Sequence, residues 1–255
     1  MTLGKGLPNS YRFVLTATDI KVYGKTDIGL HREENEDSFL TAEKLSLYAV
    51  ADGIGGLPYG DVASRLALDC IQLWGEDNGG FTSEEDLRSA IEYANQCICE
   101  EGRKLSPETG IGTTVTSFVI KPGQLLVGHV GDSSCFLFRR SMGGKVTKDH
   151  TLAQEIFDKL DPGEPQPEVP DYFHHSLTRC LGQTVDFRVD VYSYELVEGD
   201  RLLACTDGVT DLLNSEDLRQ LAQKAENPKQ YIHKLIQSAL SRGGHDNTTA
   251  VAVFV

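Results

Sequence analysis

No stretch of this chain approaches the roughly 18 consecutive apolar residues that a membrane-crossing helix requires. Residues Met1 to Ser10 also lack the apolar core of a secretory leader. Positive charge is in short supply: 24 Lys plus Arg face 38 Asp plus Glu among 255 residues, a formal net charge of -14 at pH 7. A sequence-independent grip on nucleic acid needs Lys and Arg clustered against phosphates, so nucleic acid is not an expected partner, and neither is a membrane. The six cysteines, Cys70, Cys97, Cys99, Cys135, Cys180 and Cys205, form no Cys-x-x-Cys pair and no regular disulfide spacing. They read as reduced thiols, several of them simply buried, and the compartment expected from them is the cytoplasm. Neither a repeat of fixed period nor a low-complexity tract occurs. The histidines lack zinc-ligand spacing, with His129 on a strand pattern and His174 and His175 in an aperiodic segment. Gly53-x-Gly55 and Gly110-x-Gly112 fall short of complete nucleotide loops.

What is present is a globular composition, 40% hydrophobic and 24% charged, sufficient for a real core. Runs with strand character span Asp19 to Gly29, Phe39 to Ala51, Thr113 to Ile120, Leu125 to Val130, Cys135 to Arg140, Phe187 to Glu195, Arg201 to Thr206 and Thr248 to Val255. Helical periodicity interrupts them three times. The first stripe runs from about Asp61 to Trp74. The second begins at Ser83, whose spacing to Asp86 matches a capping box, and carries Leu87, Ile91, Ala94 and Ile98 on one face. The third covers Leu218 to Ala225 and restarts at Pro228, a good first-turn residue, to end near Gly243. Helices therefore come in groups between strands, which predicts a layered α+β fold, not a parallel βαβ sheet. Residues 149–184, with Pro162, Pro165, Pro167 and Pro170, read as a short helix followed by an irregular surface flap.

The chemistry is expected where apolar strands end in an acidic residue beside Gly or Asn. This happens four times: Leu47 to Asp52-Gly53, Leu126 to Gly131-Asp132, Leu202 to Asp207-Gly208, and Asp246-Asn247 leading into Thr248 to Val255. One Asp-Gly is only a turn signal. Four of them on the central strands of one sandwich bring carboxylates together at one edge, where they repel and raise one another's pKa. Divalent cations resolve that conflict, and an all-oxygen ligand set selects Mg²⁺ or Mn²⁺. A second constellation runs from Gly29 to Ser38. In it Arg32 offers a planar fork for a phosphate, and Asp37 can accept hydrogen bonds from metal-bound waters.

These residues resemble the type 2C metal-dependent protein serine/threonine phosphatases, in bacterial style. The resemblance rests on Gly29-x-x-Arg32-x-x-Asn35-x-Asp37, Ala51 to Gly56 with Ala63-Ser64, Gly112-Thr113-Thr114, Val130 to Ser133, Asp149-His150, Leu177-Thr178-Arg179-x-Leu181-Gly182, Thr206-Asp207-Gly208 and Asp246 to Thr249, in that order from about Tyr23 to Val255. It implies a four-layer α-β-β-α sandwich of two antiparallel sheets, one domain over 1–255 with the flap as a subdomain. It further implies hydrolysis of phosphoserine and phosphothreonine in proteins by a metal-activated water. In the roles it implies, Asp52 bridges two tightly bound Mn²⁺ or Mg²⁺ ions, with the Gly53 carbonyl on one and Asp207 and Asp246 on the other. Asp132 with Asp207 holds a weaker third ion, Arg32 binds the substrate phosphate, Asp37 stands behind the metals, and Asn247 orients the Asp246 loop. The expected partners are phosphorylated proteins, with a serine/threonine kinase and its targets as candidates, and the expected state is a monomer.

The sequence departs from the family at two points. Ile54 stands where some relatives place a proposed general-acid His, which leaves protonation of the leaving oxygen to a metal-bound water or another group. Ser134 replaces a common Arg, which removes one support of the Asp132 turn. His150 is a further candidate to reach the site. Cys97-x5-Arg103 has the spacing of a cysteine-dependent phosphatase, but it lies within a helix pattern, where six residues span about 9 Å and the side chains diverge by roughly 120°. The alternative reading is a catalytically weak phosphoprotein-binding or partner-switching module on the same fold.

Overall fold

The computed structural model describes residues 20–140, 142–161 and 163–255. The reading of Met1 to Ser10, the start of the first strand at Asp19 and the flap residue Pro162 lie outside the described residues.

Among the described residues, ten strands form two five-stranded antiparallel sheets. One has the order β1-β10-β9-β6-β7, from β1 (Lys21–Asp27), β10 (Thr248–Phe254), β9 (Asp200–Cys205), β6 (Ser134–Arg139) and β7 (Met142–Lys145). The other has the order β2-β3-β4-β5-β8, from β2 (Asp37–Ala42), β3 (Leu47–Asp52), β4 (Val115–Lys121), β5 (Gln124–Val130) and β8 (Asp190–Glu195). Tyr48, Val50, Phe118, Leu125, Val127, Leu202, Ala204, Val251 and Val253 fill the space between the sheets. Their neighbours along the same strands point outward: Leu47, Ala49 and Ala51 meet helices α1 (Gly60–Asp77) and α2 (Glu84–Leu105). On the opposite side Leu203, Cys205, Ala250 and Ala252 meet α5 (Ser215–Lys224) and α6 (Pro228–Ser241). Strands covered on both faces have no solvent side, which is why they read as continuous apolar runs without polar alternation. The α-β-β-α sandwich implied by the resemblance is the architecture found.

The helices begin where local chemistry starts them. Ser83 accepts a hydrogen bond from the Asp86 backbone N–H (3.2 Å), while the Asp86 carboxylate accepts from the Ser83 N–H (2.9 Å). That box satisfies two donors that the first turn of α2 leaves open. Leu87, Ile91 and Ile98 are then fully buried, worth roughly 1.5–3 kcal/mol each. Asn227 caps α6 ahead of Pro228, accepting from the Gln230 N–H (2.9 Å).

The boundaries differ from the sequence reading in five places. The run Phe39 to Ala51 is a hairpin: β2 and β3 are separated by a short helical turn at Glu43–Leu45 and by Ser46 in the left-handed region. Strand β4 starts at Val115, since Thr113 makes isolated bridges to Gly53 and Leu181 instead of joining the ladder. Strand β8 starts at Asp190, not Phe187. Strand β7, Met142-Gly143-Gly144-Lys145, gives no apolar signal because it is a glycine-rich edge. One turn of helix, α4 (Asp207–Thr210), follows β9 directly. In the flap, Thr151 caps the short helix α3 (Leu152–Phe157), as expected, and a second short turn forms at Asp171–Phe173.

Candidate metal centre

The two sheets present their acidic strand ends at one edge. Asp37 opens β2 and Asp52 closes β3, directly paired in the ladder. Asp132 follows β5, Asp207 follows β9 and Asp246 precedes β10. Asp52, Asp132, Asp207 and Asp246, together with Arg32 and Gly53, line a cleft of about 310 Å³ between the sheet ends and the flap, and Asp37 is buried outside its wall.

Hydrogen bonds and close packing fix several of these positions. The Asp52 carbonyl accepts from Thr114 N–H and Thr113 Oγ1 (both 2.8 Å), and the Asp52 N–H donates to Thr114 Oγ1 (3.0 Å). A Cβ at Gly53 would lie 2.5 Å from the Gly60 backbone, so only glycine permits the start of α1 to approach so closely. Asn247 binds the acidic loops together: its Oδ1 accepts from the Glu36 N–H (2.9 Å), and its Nδ2 donates to the Ile28 and Glu34 carbonyls (both 3.0 Å). The Asp246 carboxylate accepts from the Asn247 N–H (2.7 Å).

Charge is the dominant problem at this edge. Burial raises the Asp52 carboxyl well above its ordinary range, reinforced by Asp37, Asp207 and Asp132. Burial does the same to Asp132, with Asp207 and Asp149 adding to it. Asp207 is raised by burial and then by Asp246. Asp37 is pushed up to about 7 by burial, although hydrogen bonds from Thr249 and Thr206 oppose the shift. Among the described residues Arg32 is the only Lys or Arg on the cleft wall, and its Nη2 donates to Asp246 Oδ2 at 2.7 Å. Among the described residues, two buried carboxylate oxygens, Asp37 Oδ1 and Asp207 Oδ1, have no hydrogen-bond partner. A buried carboxylate oxygen without a donor is costly unless a cation or its water meets it. Hard, all-oxygen donors of this kind fit Mg²⁺ or Mn²⁺.

Residues 31–240 match the profile of the family described as Protein phosphatase 2C. The chain belongs to that family. It is 30% identical over 240 residues to the serine/threonine phosphatase stp of Listeria innocua, covering 90% of this chain and 93% of that protein. It is 31% identical to the serine/threonine protein phosphatase PstP of Mycobacterium tuberculosis over 92% of this chain, and matches 45% of that longer protein. A crystal structure of the catalytic domain of PstP in complex with two manganese ions superposes with a TM-score of 0.78, at 31% identity, over 92% of this chain and 97% of that one. As a bacterial-type member, this chain is a metal-dependent protein serine/threonine phosphatase.

In this phosphatase all seven positions picked from the sequence, Arg32, Asp37, Asp52, Gly53, Asp132, Asp207 and Asp246, stand at the one edge. Asp37 lies deepest, taking a hydrogen bond from Thr206 Oγ1 at 2.9 Å. His150 does not reach the cleft. It is buried behind the Asp132 turn, where its Nδ1 accepts from the Gly131 N–H (3.0 Å) and its own N–H donates to the Gly131 carbonyl (2.8 Å). Because Nδ1 accepts, the ring proton sits on Nε2, which donates to Asp190 (3.1 Å). With a hydrogen bond between Thr114 Oγ1 and Ser133 Oγ (2.8 Å), this supplies the support that Ser134 cannot give. Ile54 lines the cleft and offers no proton.

Two wall residues escaped the sequence reading. Asp211 stands one helical turn after Asp207, and burial, with Asp207 beside it, pushes it up to about 7. His175 comes from the flap, 3.8 Å from Asp211 through Nδ1. The Asp207-x-x-x-Asp211 spacing was a usable signal, hidden because the stretch reads as a strand end and not as a helix. His175 carries no local signal at all, since the flap has no periodicity.

Proposed function

We propose that this chain dephosphorylates phosphoserine and phosphothreonine in proteins with Asp52, Gly53, Asp132, Asp207 and Asp246 as its metal-holding positions. Asp52 would bridge two cations, with the Gly53 carbonyl on one and Asp207 and Asp246 on the other; Asp132 and Asp207 would share a third, weaker one. When bound, such cations activate a water and offset charge on the phosphoryl oxygens. Arg32 would take the substrate phosphate: its guanidinium is half-exposed on the cleft wall and could exchange its Asp246 partner for phosphate oxygens. Asp37 lies too deep to touch substrate, and its Oδ1, unpartnered among the described residues, would accept from ordered water. Ile54 offers no proton, so protonation of the leaving oxygen would fall to ordered water or to another group on the cleft wall.

Mn²⁺ is the cation favoured here over Mg²⁺, in line with the manganese of the PstP complex. The working unit is one phosphatase domain with the flap at 149–184 as the substrate-facing part. A monomer acting in the cytoplasm on a serine/threonine kinase and its targets is the setting that suits six free thiols and a net charge of -14.

The observation that carries this reading is the pair of orphaned, buried carboxylate oxygens within a five-aspartate edge faced by one arginine. The test is hydrolysis of p-nitrophenyl phosphate by the chelator-stripped chain with and without Mn²⁺, in parental and Arg32→Ala forms. The reading requires no turnover without metal, restoration by Mn²⁺, and a several-fold higher KM in Arg32→Ala. Metal-bound chain that fails to turn over any phosphoprotein or aryl phosphate would instead support the phosphoprotein-binding module.

A further inference from the structure

A pocket of about 340 Å³, lined by Phe138, Arg140, Gly199, Arg201, Ala222 and Gln223, opens at strand ends remote from the metal centre. Strand β6 begins just after Asp132 and β9 ends just before Asp207; the pocket lies at their other ends. Among the described residues its wall carries two arginines and no carboxylate, in a chain of net charge -14.

The ladder places Arg201. It pairs with Phe138 of β6 on one side and Phe254 of β10 on the other, so the three side chains share the face on which Leu203 and Cys205 meet α5 and α6. Its guanidinium carbon lies 4.3 Å from the centre of the Phe254 ring, and its Nη1 donates to the Ala225 carbonyl just past α5 (3.1 Å). These contacts orient the fork and bring it no counter-ion. Arg32, Arg139, Arg219 and Arg242 each bind their proton more tightly because of a neighbouring carboxylate, whereas burial loosens that of Arg201. Arg140 comes from the two-residue connection between β6 and β7, at φ 52°. Asn, Asp or Gly usually fill such a position, so turn formation does not account for an arginine there. Gln223 Nε2 donates to the Arg140 carbonyl (2.5 Å) and holds the turn against α5, while the guanidinium has no hydrogen bond or ion pair among the described residues. One exposed arginine is an ordinary surface residue; two on one wall, one of them half-buried and without a carboxylate, are an unmet positive charge.

We propose that the Arg140–Arg201 pocket is a second anion site, which takes a phosphomonoester dianion and does not hydrolyse it. Planar guanidinium forks match phosphate oxygens in pairs, and a phosphate has enough oxygens for both forks where a carboxylate has two in all. The volume falls within the range of small-molecule sites, so the organic group enters along with the phosphate. Without a carboxylate the wall has no means of holding a divalent cation, so the bound ester survives. Because the pocket sits at the far strand ends, its ligand does not compete with substrate at the metal centre. A phosphorylated protein segment and a free phosphomonoester present the same chemistry to it.

The test follows arginine side-chain N–H signals by NMR in the full, Mg²⁺-loaded chain, in parental, Arg140→Asn and Arg201→Lys forms. Arg140 is exposed and Asn suits a left-handed turn, so Arg140→Asn keeps the fold even where Arg201→Lys does not. The probes are phenylphosphonate, a peptide carrying the non-hydrolysable phosphonate of phosphothreonine, and benzoate, at alkaline pH where the phosphonates are dianions. Phenylphosphonate should move the Arg140 and Arg201 signals together, on a saturation curve separate from that of Arg32. Each substitution should weaken that binding at least about tenfold, the scale of one charge-assisted hydrogen bond. Turnover of p-nitrophenyl phosphate by Arg140→Asn should stay parental. Tighter binding of the peptide than of phenylphosphonate at this pair identifies a phosphoprotein segment as the source, and equal binding a free phosphomonoester; both bear out the site. Signals that move only at Arg32, benzoate bound as tightly as phenylphosphonate, or parental affinity in Arg140→Asn would overturn it.

Discussion

Asp207 is the residue on which most of the account converges, since it would be shared between cations and carries one of the two orphaned oxygens. Asp207→Asn keeps the shape but removes the charge, and kcat at saturating Mn²⁺ should fall by at least about 100-fold. Near-parental turnover in a stopped assay would mean the carboxylate is not a ligand. Titration supplies a second prediction. Asp37 rises from 3.8 to about 7, and Asp211 likewise to about 7, chiefly through burial. Between those values the folded, metal-free chain binds protons that the unfolded chain releases, so its stability must fall as pH rises from about 4 to 7. Cations remove the reason for the shift. Thermal melts of stripped protein should show Tm declining across that window, and saturating Mn²⁺ should abolish or reverse the decline; a Tm that rises with pH in stripped protein would count against the buried cluster. At this scale the sequence was most legible for carboxylates at strand ends, because Asp-Gly and Asp-Asn punctuation survives without any tertiary knowledge. Whether His150 reached the site was left open because its Nδ1 partner is a backbone N–H, which every residue but proline possesses and no motif marks.

At the scale of elements, α2 was readable down to its first turn, since Ser83 and Asp86 settle the start locally. Strand β7 was not, because two glycines in an edge strand carry neither apolar period nor burial. The hairpin at Ser46 was lost for a related reason: Glu43, Lys44 and Ser46 are ordinary surface residues, and only the pairing of Asp37 with Asp52 fixes the turn. The flap makes a prediction of its own. Residues 163–168 are exposed throughout, while the zipped stems at 151–152 and 176–178 lie outside them. Deleting 163–168 should leave kcat and KM for p-nitrophenyl phosphate near parental and alter kcat/KM among phosphothreonine peptides. Equal losses on both substrate classes would make the segment a closing lid or a structural support instead of a specificity element.

For the whole molecule, the sandwich converts separate sequence signals into one site. Strands β3, β5, β9 and β10 belong to two sheets and lie far apart in the chain, yet their acidic ends share an edge because the sheets stack face to face around Val50, Phe118, Ala204 and Val251. The apolar runs and acidic ends were legible one by one; which end of each strand shares an edge depends on long-range pairing, which no local window contains. The central claim is that this edge is a metal centre. Anomalous diffraction at the manganese edge from crystals of the stripped chain soaked in Mn²⁺ tests it most directly. Two strong peaks flanking the Asp52 carboxylate, one beside the Gly53 carbonyl and one between Asp207 and Asp246, are the predicted result. Manganese bound elsewhere, or no peak within coordination distance of Asp52, would contradict it.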